Sequence, residues 1–138
     1  MAADHAPPPV VDPAALARAE AALATLSANY LSWADADVVR LTAALHQAQT
    51  DPAGPAAHLA VLFRIAHDMK GQAATFGYPL VTTIAGQMCH LIGAAEIPTP
   101  RDMSRVAAHV AALVRVVASR LEGDGGAEGQ SLLRELDA

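Results

Sequence analysis

Residues 59–77 of the 138-residue chain read LAVLFRIAHDMKGQAATFG, and the rest of the chain follows the pattern they set. Apolar residues recur here at alternating intervals of three and four positions, the period of one buried helix face. At 100° per residue, His67 lies away from that buried face, toward solvent or a partner. Lys70 and Gly71 follow it by three and four positions, so the three share one outward surface. The inward seam consists of Leu59, Leu62, Ala66, Met69, Ala73 and Phe76.

Gly71 is the least expected residue of this outward surface. A glycine inside a helix costs about 1 kcal/mol relative to alanine, and an outward position has no packing that offsets this cost. We therefore interpret Gly71 as an opening through which a partner approaches His67. Neutral imidazole is a nucleophile near neutral pH, and the Lys70 ammonium would neutralise charge on a transferring group.

The composition favours a single all-α domain. Hydrophobic residues make up 53% of the chain, aromatic residues only 4%, and no strand-like alternation is present. The net charge of −5 argues against nucleic acid as a partner. A single cysteine excludes a disulfide framework and a thiolate metal cluster. Because Gly77-Tyr78-Pro79 interrupts the uncharged residues 71–95, we predict no membrane span, and the absence of a signal peptide predicts a cytoplasmic location.

Proline-rich residues 1–11 are predicted to be disordered. A first helix is predicted to begin at Pro13, and Ser32-x-x-Asp35 is interpreted as a capping box that opens a second one. Whether these two helices are continuous is open at this stage. The apolar stripe of the first consists of Leu16, Ala19, Leu23, Leu26 and Tyr30.

The remaining elements follow from turn signals. The histidine helix is predicted over residues 55–76, with Gly77 as its left-handed cap and Pro79 beginning the next helix. Thr99-Pro100-Arg101-Asp102 opens a further helix. Residues 12–122 are thus predicted to form an up-down-up-down antiparallel four-helix bundle with an additional N-terminal helix. Residues 123–138 are predicted to be a flexible linker and a short C-terminal segment, helical over residues 131–136.

The histidine segment resembles the signature of histidine-containing phosphotransfer (HPt) domains, and the helical pattern extends the resemblance over roughly residues 33–121. HPt domains share the predicted bundle. The resemblance implies that Nε2 of His67 carries a phosphoryl group between receiver domains of a two-component phosphorelay. The residues that carry the resemblance are His67, Lys70, Gly71, Ala74, Phe76 and Gly77.

Such a protein is a phosphocarrier without an ATP site of its own rather than an independent enzyme. The resemblance implies response-regulator receiver domains and a hybrid histidine kinase as partners. It implies no cofactor of the chain's own, with Mg²⁺ belonging to the receiver. We expect a monomer, with no nucleic-acid or membrane partner and no metal site.

Several neighbours of the histidine have predicted roles. Phe63 and Arg64, one turn before it, are predicted to rim the docking surface, and the small Ala74 to keep that surface shallow. Asp68 is predicted to be solvated and to point away from the site.

A polar residue on the following helix is expected to orient the imidazole, as it often does in HPt domains. A hairpin folded about Gly77 brings residue 87 level with His67, which selects Gln87, while Cys89 and His90 stay open as alternatives. Gln72 is the alternative on the histidine helix itself.

Two other functions compete with phosphotransfer. One is a metal-dependent phosphohydrolase of the HD type, which would use His67 and Asp68 with His46 and Asp102. It is disfavoured because adjacent helical residues diverge by 100° and because Lys70 and Gly71 would have no role. The other is a non-catalytic helical module that binds partners, which leaves Gly71 unexplained.

Overall fold

The computed structural model describes residues 10–137, and this part of the chain is all-helical with no strand. The all-α prediction is therefore confirmed. Residues 1–9, on which most of the predicted disordered segment falls, lie outside the described residues. The helices are α1 (Pro13–Thr50), α2 (Ala56–Ala73), α3 (Pro79–Ala94), α4 (Pro100–Ala118) and α5 (Gly126–Asp137).

Short turns join each helix to the next from α1 through α4, so consecutive helices run antiparallel. Each of these four contacts its neighbours round the bundle, α4 also packs against α1, and α5 packs on α4. No helix within residues 10–137 is long and apolar enough to cross a membrane.

The helix boundaries follow from local chemistry. The Asp12 carboxylate accepts from the Ala14 amide at 3.2 Å and caps α1. The histidine helix ends at Ala73, three residues before the predicted end at residue 76. Gly77 lies in the turn that follows and has a φ of 85°, the left-handed conformation that glycine adopts without strain. Thr99 and Asp102 form a reciprocal capping box at the start of α4. The predicted boundaries at Pro13 and Thr99 are thus confirmed, whereas only the left-handed conformation of Gly77, and not its place as the cap of the histidine helix, agrees with the prediction.

The core lies between α1, α2, α3 and α4. The seam predicted for the histidine helix faces it, with Leu62 and Ala66 fully buried and Phe76 partly buried at its end. An aromatic cluster closes one end of the core. Tyr30 stacks on Phe76 with ring centroids 5.0 Å apart, and the Tyr78 ring lies against the Tyr30 ring. Burial within this cluster raises the pKa of Tyr30 to about 12. The largest fully buried side chains include Leu41, Leu62, Met69, Ile84, Met88 and Leu113.

The two helices predicted at the N-terminus are one continuous helix, α1. The capping box predicted at Ser32 and Asp35 is wrong, because both residues lie inside α1. Asp35 instead pairs with Arg120, which lies just after the end of α4. Nη1 and Nη2 of Arg120 donate to the two carboxylate oxygens of Asp35 at 2.8 and 2.9 Å. These hydrogen bonds lower the pKa of the Asp35 carboxyl.

Only the second half of α1 belongs to the bundle. Tyr30 is its first buried residue, and all of residues 13–29 are exposed except Ala15, which is half-buried. We call residues 13–29 the overhang. Its apolar stripe is open to solvent, with Leu16 48%, Leu23 63% and Leu26 45% exposed.

The C-terminal helix begins earlier than predicted, at Gly126 rather than residue 131. The glycines interpreted as a flexible linker instead allow close packing. A Cβ added to Gly125 would lie 2.7 Å from Leu80 Cδ2, and one added to Gly129 would lie 2.4 Å from the Asp124 carbonyl oxygen. The short connection therefore packs against α3.

Candidate functional site

His67 lies on the outward face of α2, and its side chain is 60% exposed. The preceding residue, Ala66, is fully buried, so α2 passes from core to solvent within one position. Lys70 is half-buried and Gly71 exposed, one turn further along the same face. The structure therefore brings the predicted histidine, lysine and glycine together on one open surface, which we call the histidine patch.

Neither packing nor backbone conformation requires the glycine at position 71. A Cβ added to Gly71 would meet no heavy atom of the surrounding protein within 4 Å. Its φ also lies outside the left-handed region, unlike that of Gly77. What Gly71 provides is open space beside His67.

Lys70 is held against α3. The Thr82 hydroxyl donates to the Lys70 carbonyl oxygen at 3.0 Å. A Cβ added to Gly86 would lie 3.4 Å from Lys70 Cδ, so the lysine stem crosses α3 at this glycine. Gly86 was not among the site residues predicted from the sequence. The sequence signal that could have identified Gly86 is a second glycine inside a predicted helix, close to the level of His67.

Phe63 stacks on the histidine. The two rings are 6.2 Å apart between centroids and inclined by 18°. The Cys89 thiol donates to the Phe63 carbonyl oxygen at 3.7 Å, and a Cβ added to Gly93 would lie 3.9 Å from the Phe63 ring. Phe63, predicted to contact a partner, is therefore also the imidazole's neighbour within the chain, with 37% of its surface still exposed.

The structure does not join Gln87 to the imidazole. The contacts between Thr82 and Lys70 and between Cys89 and Phe63 bracket residue 87 and place it within about one helical turn of the level of His67. Within residues 10–137, however, no hydrogen bond connects Gln87 with His67. Gln87 instead lines a cavity of about 550 Å³ between α3 and α4.

The alternatives to Gln87 make no hydrogen bond to the imidazole either. His90 lines the same cavity as Gln87. Cys89 faces α2, but its thiol is bonded to the Phe63 carbonyl, and burial raises its pKa. Gln72 is exposed on α2.

Asp68 lies nearer to the imidazole than predicted. Its Oδ1 is 3.9 Å from Nδ1 of His67, which is beyond hydrogen-bonding distance but close enough for charge interaction. The Asp68 carboxylate also faces α1, where it adds to the effect of burial in raising the pKa of Asp37. One flank of the histidine patch is therefore acidic. Arg64 is exposed on α2 and Ala74 is exposed at its C-cap, and no contact within residues 10–137 defines a role for them.

The arrangement that the HD-type alternative needs is not formed. His46 lines a groove between α1 and α4, and Asp102 is engaged in capping α4. Within residues 10–137 no group of three or more His, Cys, Asp or Glu side chains is placed to hold a metal ion.

Comparison with protein families gives a match to the model described as the Hpt domain, over residues 14–120. The matched region contains all of α2, α3 and α4 and nearly all of α1, including the overhang. No curated protein and no solved structure matches the chain.

Proposed function

The chain belongs to the Hpt domain family, and from that premise we propose that His67 carries a phosphoryl group between receiver domains of a phosphorelay. Membership of the family gives the chain a phosphotransfer role in two-component signalling. Our proposal adds the residue that accepts the phosphoryl group, the nitrogen that attacks phosphorus and the class of partner. The aspartates that donate the phosphoryl group to His67 and accept it from His67 belong to response-regulator receivers and to a hybrid histidine kinase.

The transfer exchanges one phosphorus bond for another. The lone pair on Nε2 of neutral His67 attacks phosphorus, the P–Nε2 bond forms, and the P–O bond to the receiver aspartate breaks, leaving a free carboxylate. Nδ1 keeps its proton until the product imidazolium loses one to solvent. The reverse sequence passes the phosphoryl group to the next aspartate. Mg²⁺ bound by the receiver would help to neutralise the phosphoryl charge.

The observation that carries the proposal is the exposure of His67 beside a cation and an opening. The imidazole is 60% exposed, so a receiver reaches it without unfolding α2. The stem of Lys70 packs against α3 at Gly86, and Lys70 follows His67 by three positions, so the two share one face of α2. A cation near the transferring group stabilises the negative charge on its oxygens.

Phe63 contributes on the other side of the imidazole. Its ring stacks on that of His67 and restricts the rotation of the side chain. We propose that Phe63, Arg64 and Ala74 form the surface on which a receiver docks, with Phe63 belonging to both the docking surface and the site.

The test is phosphoryl transfer from a panel of phosphorylated receiver domains. We expect the wild-type protein to acquire acid-labile phosphate from a cognate receiver, and His67→Gln to acquire none while keeping its helix content and melting temperature. His90→Gln is the matched control, because His90 is also exposed and lies on the adjacent helix. Labelling of His67→Gln, or loss of labelling in His90→Gln alone, would assign the phosphoryl group to another residue.

A further inference from the structure

The overhang presents an apolar stripe that nothing within residues 10–137 covers. Leu16, Leu23 and Leu26 are about half exposed or more, although they recur at helical spacing. Below them the same period continues through Tyr30 and Leu41, which are buried in the bundle. The stripe is therefore an extension of the α1 face that forms the core, carried beyond the end of the bundle.

The charges of the overhang argue against a lipid surface as the occupant. Helices that lie on membranes carry a polar face rich in lysine and arginine. Residues 13–34 contain one cation, Arg18, and one anion, Glu20, and the flanks of the stripe are largely alanine. Small flanking residues allow another helix to approach closely, which fits a helical partner.

We propose that the overhang pairs with the overhang of a second copy of this chain, in antiparallel orientation. The stripe is self-complementary, because an antiparallel register places Leu16 against Leu26 of the second copy and Ala19 against Leu23. Every layer of this seam then contains at least one leucine and no charged residue.

The bundle itself decides the orientation. Beyond Tyr30 the same face of α1 is occupied by α2 and α4. A parallel pair would force the two bundles into the same space, whereas an antiparallel pair places them at opposite ends. His67 lies on α2, outside the paired surface, so each dimer would expose two histidine patches.

The length of the stripe sets the strength of the association. From Leu16 to Tyr30 it extends about 21 Å at 1.5 Å per residue. A single helix pair of this length buries less than the roughly 1,200 Å² at the low end of standard interfaces. The dimer is therefore reversible and forms with increasing concentration, in place of the monomer expected from the sequence.

The first test measures mass by sedimentation velocity from micromolar to near-millimolar protein. We expect the wild type to move from monomer toward dimer, and Leu23→Glu to weaken association at least tenfold. Val39→Glu is the matched control, because Val39 is 68% exposed on the opposite side of α1. A wild type that stays monomeric throughout, a dimer unaffected by Leu23→Glu, or equal loss in both variants would overturn the proposal.

The second test measures the orientation. In a Cys89→Ser background, which replaces the buried cysteine, a spin label at Ala36→Cys would lie about 45 Å from its counterpart in an antiparallel pair, by helical rise alone. A parallel pair would bring the labels within roughly two helix diameters, about 20 Å. The shorter distance would contradict the antiparallel assignment.

Discussion

The two faces of α2 are built to different requirements, and adjacent residues show it. Ala66 is fully buried against the core, while the side chain of His67 is 60% exposed. Leu62 is fully buried in the core, whereas a Cβ added to Gly71 would meet no atom of residues 10–137 within 4 Å. On the inward face volume decides which residue is tolerated. On the outward face, access and charge decide.

Two glycines make the same distinction on a smaller scale. Gly71 and Gly86 both lie inside helices, and both have ordinary backbone conformations. Gly71 faces open space, while Gly86 faces the stem of Lys70. We therefore expect a substitution at Gly71 to affect what approaches from outside, and one at Gly86 to affect where Lys70 lies.

The largest effect on stability is expected from Leu62→Ala, on the inward face. Leu62 is fully buried, and truncation of such a leucine costs about 2–5 kcal/mol in lost burial and cavity formation. The folded fraction should still accept phosphate at the wild-type rate, because the histidine patch is intact. Urea denaturation and single-turnover labelling on the same samples measure the two quantities. A loss below about 1 kcal/mol, or slow transfer by fully folded protein, would contradict the separation of the two faces.

Lys70→Ala should have a smaller effect, and on transfer rather than on folding. Loss of a cation beside the reacting group is expected to slow transfer by about 10- to 100-fold. Lys70→Met is the matched variant, because it retains an apolar stem over Gly86 without the charge. Single-turnover rates at saturating receiver should fall similarly in both variants. If Lys70→Met transfers at the wild-type rate while Lys70→Ala does not, packing rather than charge is the contribution of Lys70.

The smallest effects are expected at Gly71. Gly71→Ala should raise the free energy of unfolding by up to about 1 kcal/mol, since alanine is the better helix former and no atom obstructs its Cβ. Gly71→Gln should fold at least as stably as wild type, yet dock and exchange phosphate poorly, because its side chain occupies the approach to His67.

Thermal melts and receiver titrations on both Gly71 variants decide the matter. Early melting of Gly71→Gln would show that the position is constrained by the fold. Normal melting with wild-type exchange would place the docking surface elsewhere, and the Gly71→Ala variant separates the gain in helix stability from the added bulk.

Features that depend on nearby residues could be predicted from the sequence. The seam of α2 follows from its period, and the left-handed turn at Gly77 and the capping box at Thr99 each depend on residues within one turn. The histidine, lysine and glycine share a face for the same reason. What they do chemically was inferred from family resemblance and residue type, and stays a proposal.

Features that depend on distant residues could not be predicted. Ser32 and Asp35 have the spacing of a cap, but the Asp35 carboxylate accepts hydrogen bonds from Arg120, which follows α4 much later in the chain. Counting along the hairpin places Gln87 within about one helical turn of His67. The count could not give the direction of the side chain, because each successive position on a helix turns by 100°. The Gln87 side chain lines the cavity between α3 and α4 rather than the histidine patch. Similarly, the period of α1 identifies an apolar face but not whether anything covers it.

The continuity of α1 has a consequence for how the protein opens. Its bundled half is anchored by core contacts, so amide hydrogens there exchange with solvent only when the bundle loosens. The overhang is stabilised by local hydrogen bonds rather than by the core, and isolated helices of such length are marginal in water, so we expect it to fray from Pro13 without disturbing the core. A single helix therefore contains two cooperative units, and the rings of Tyr30, Phe76 and Tyr78 mark the boundary between them.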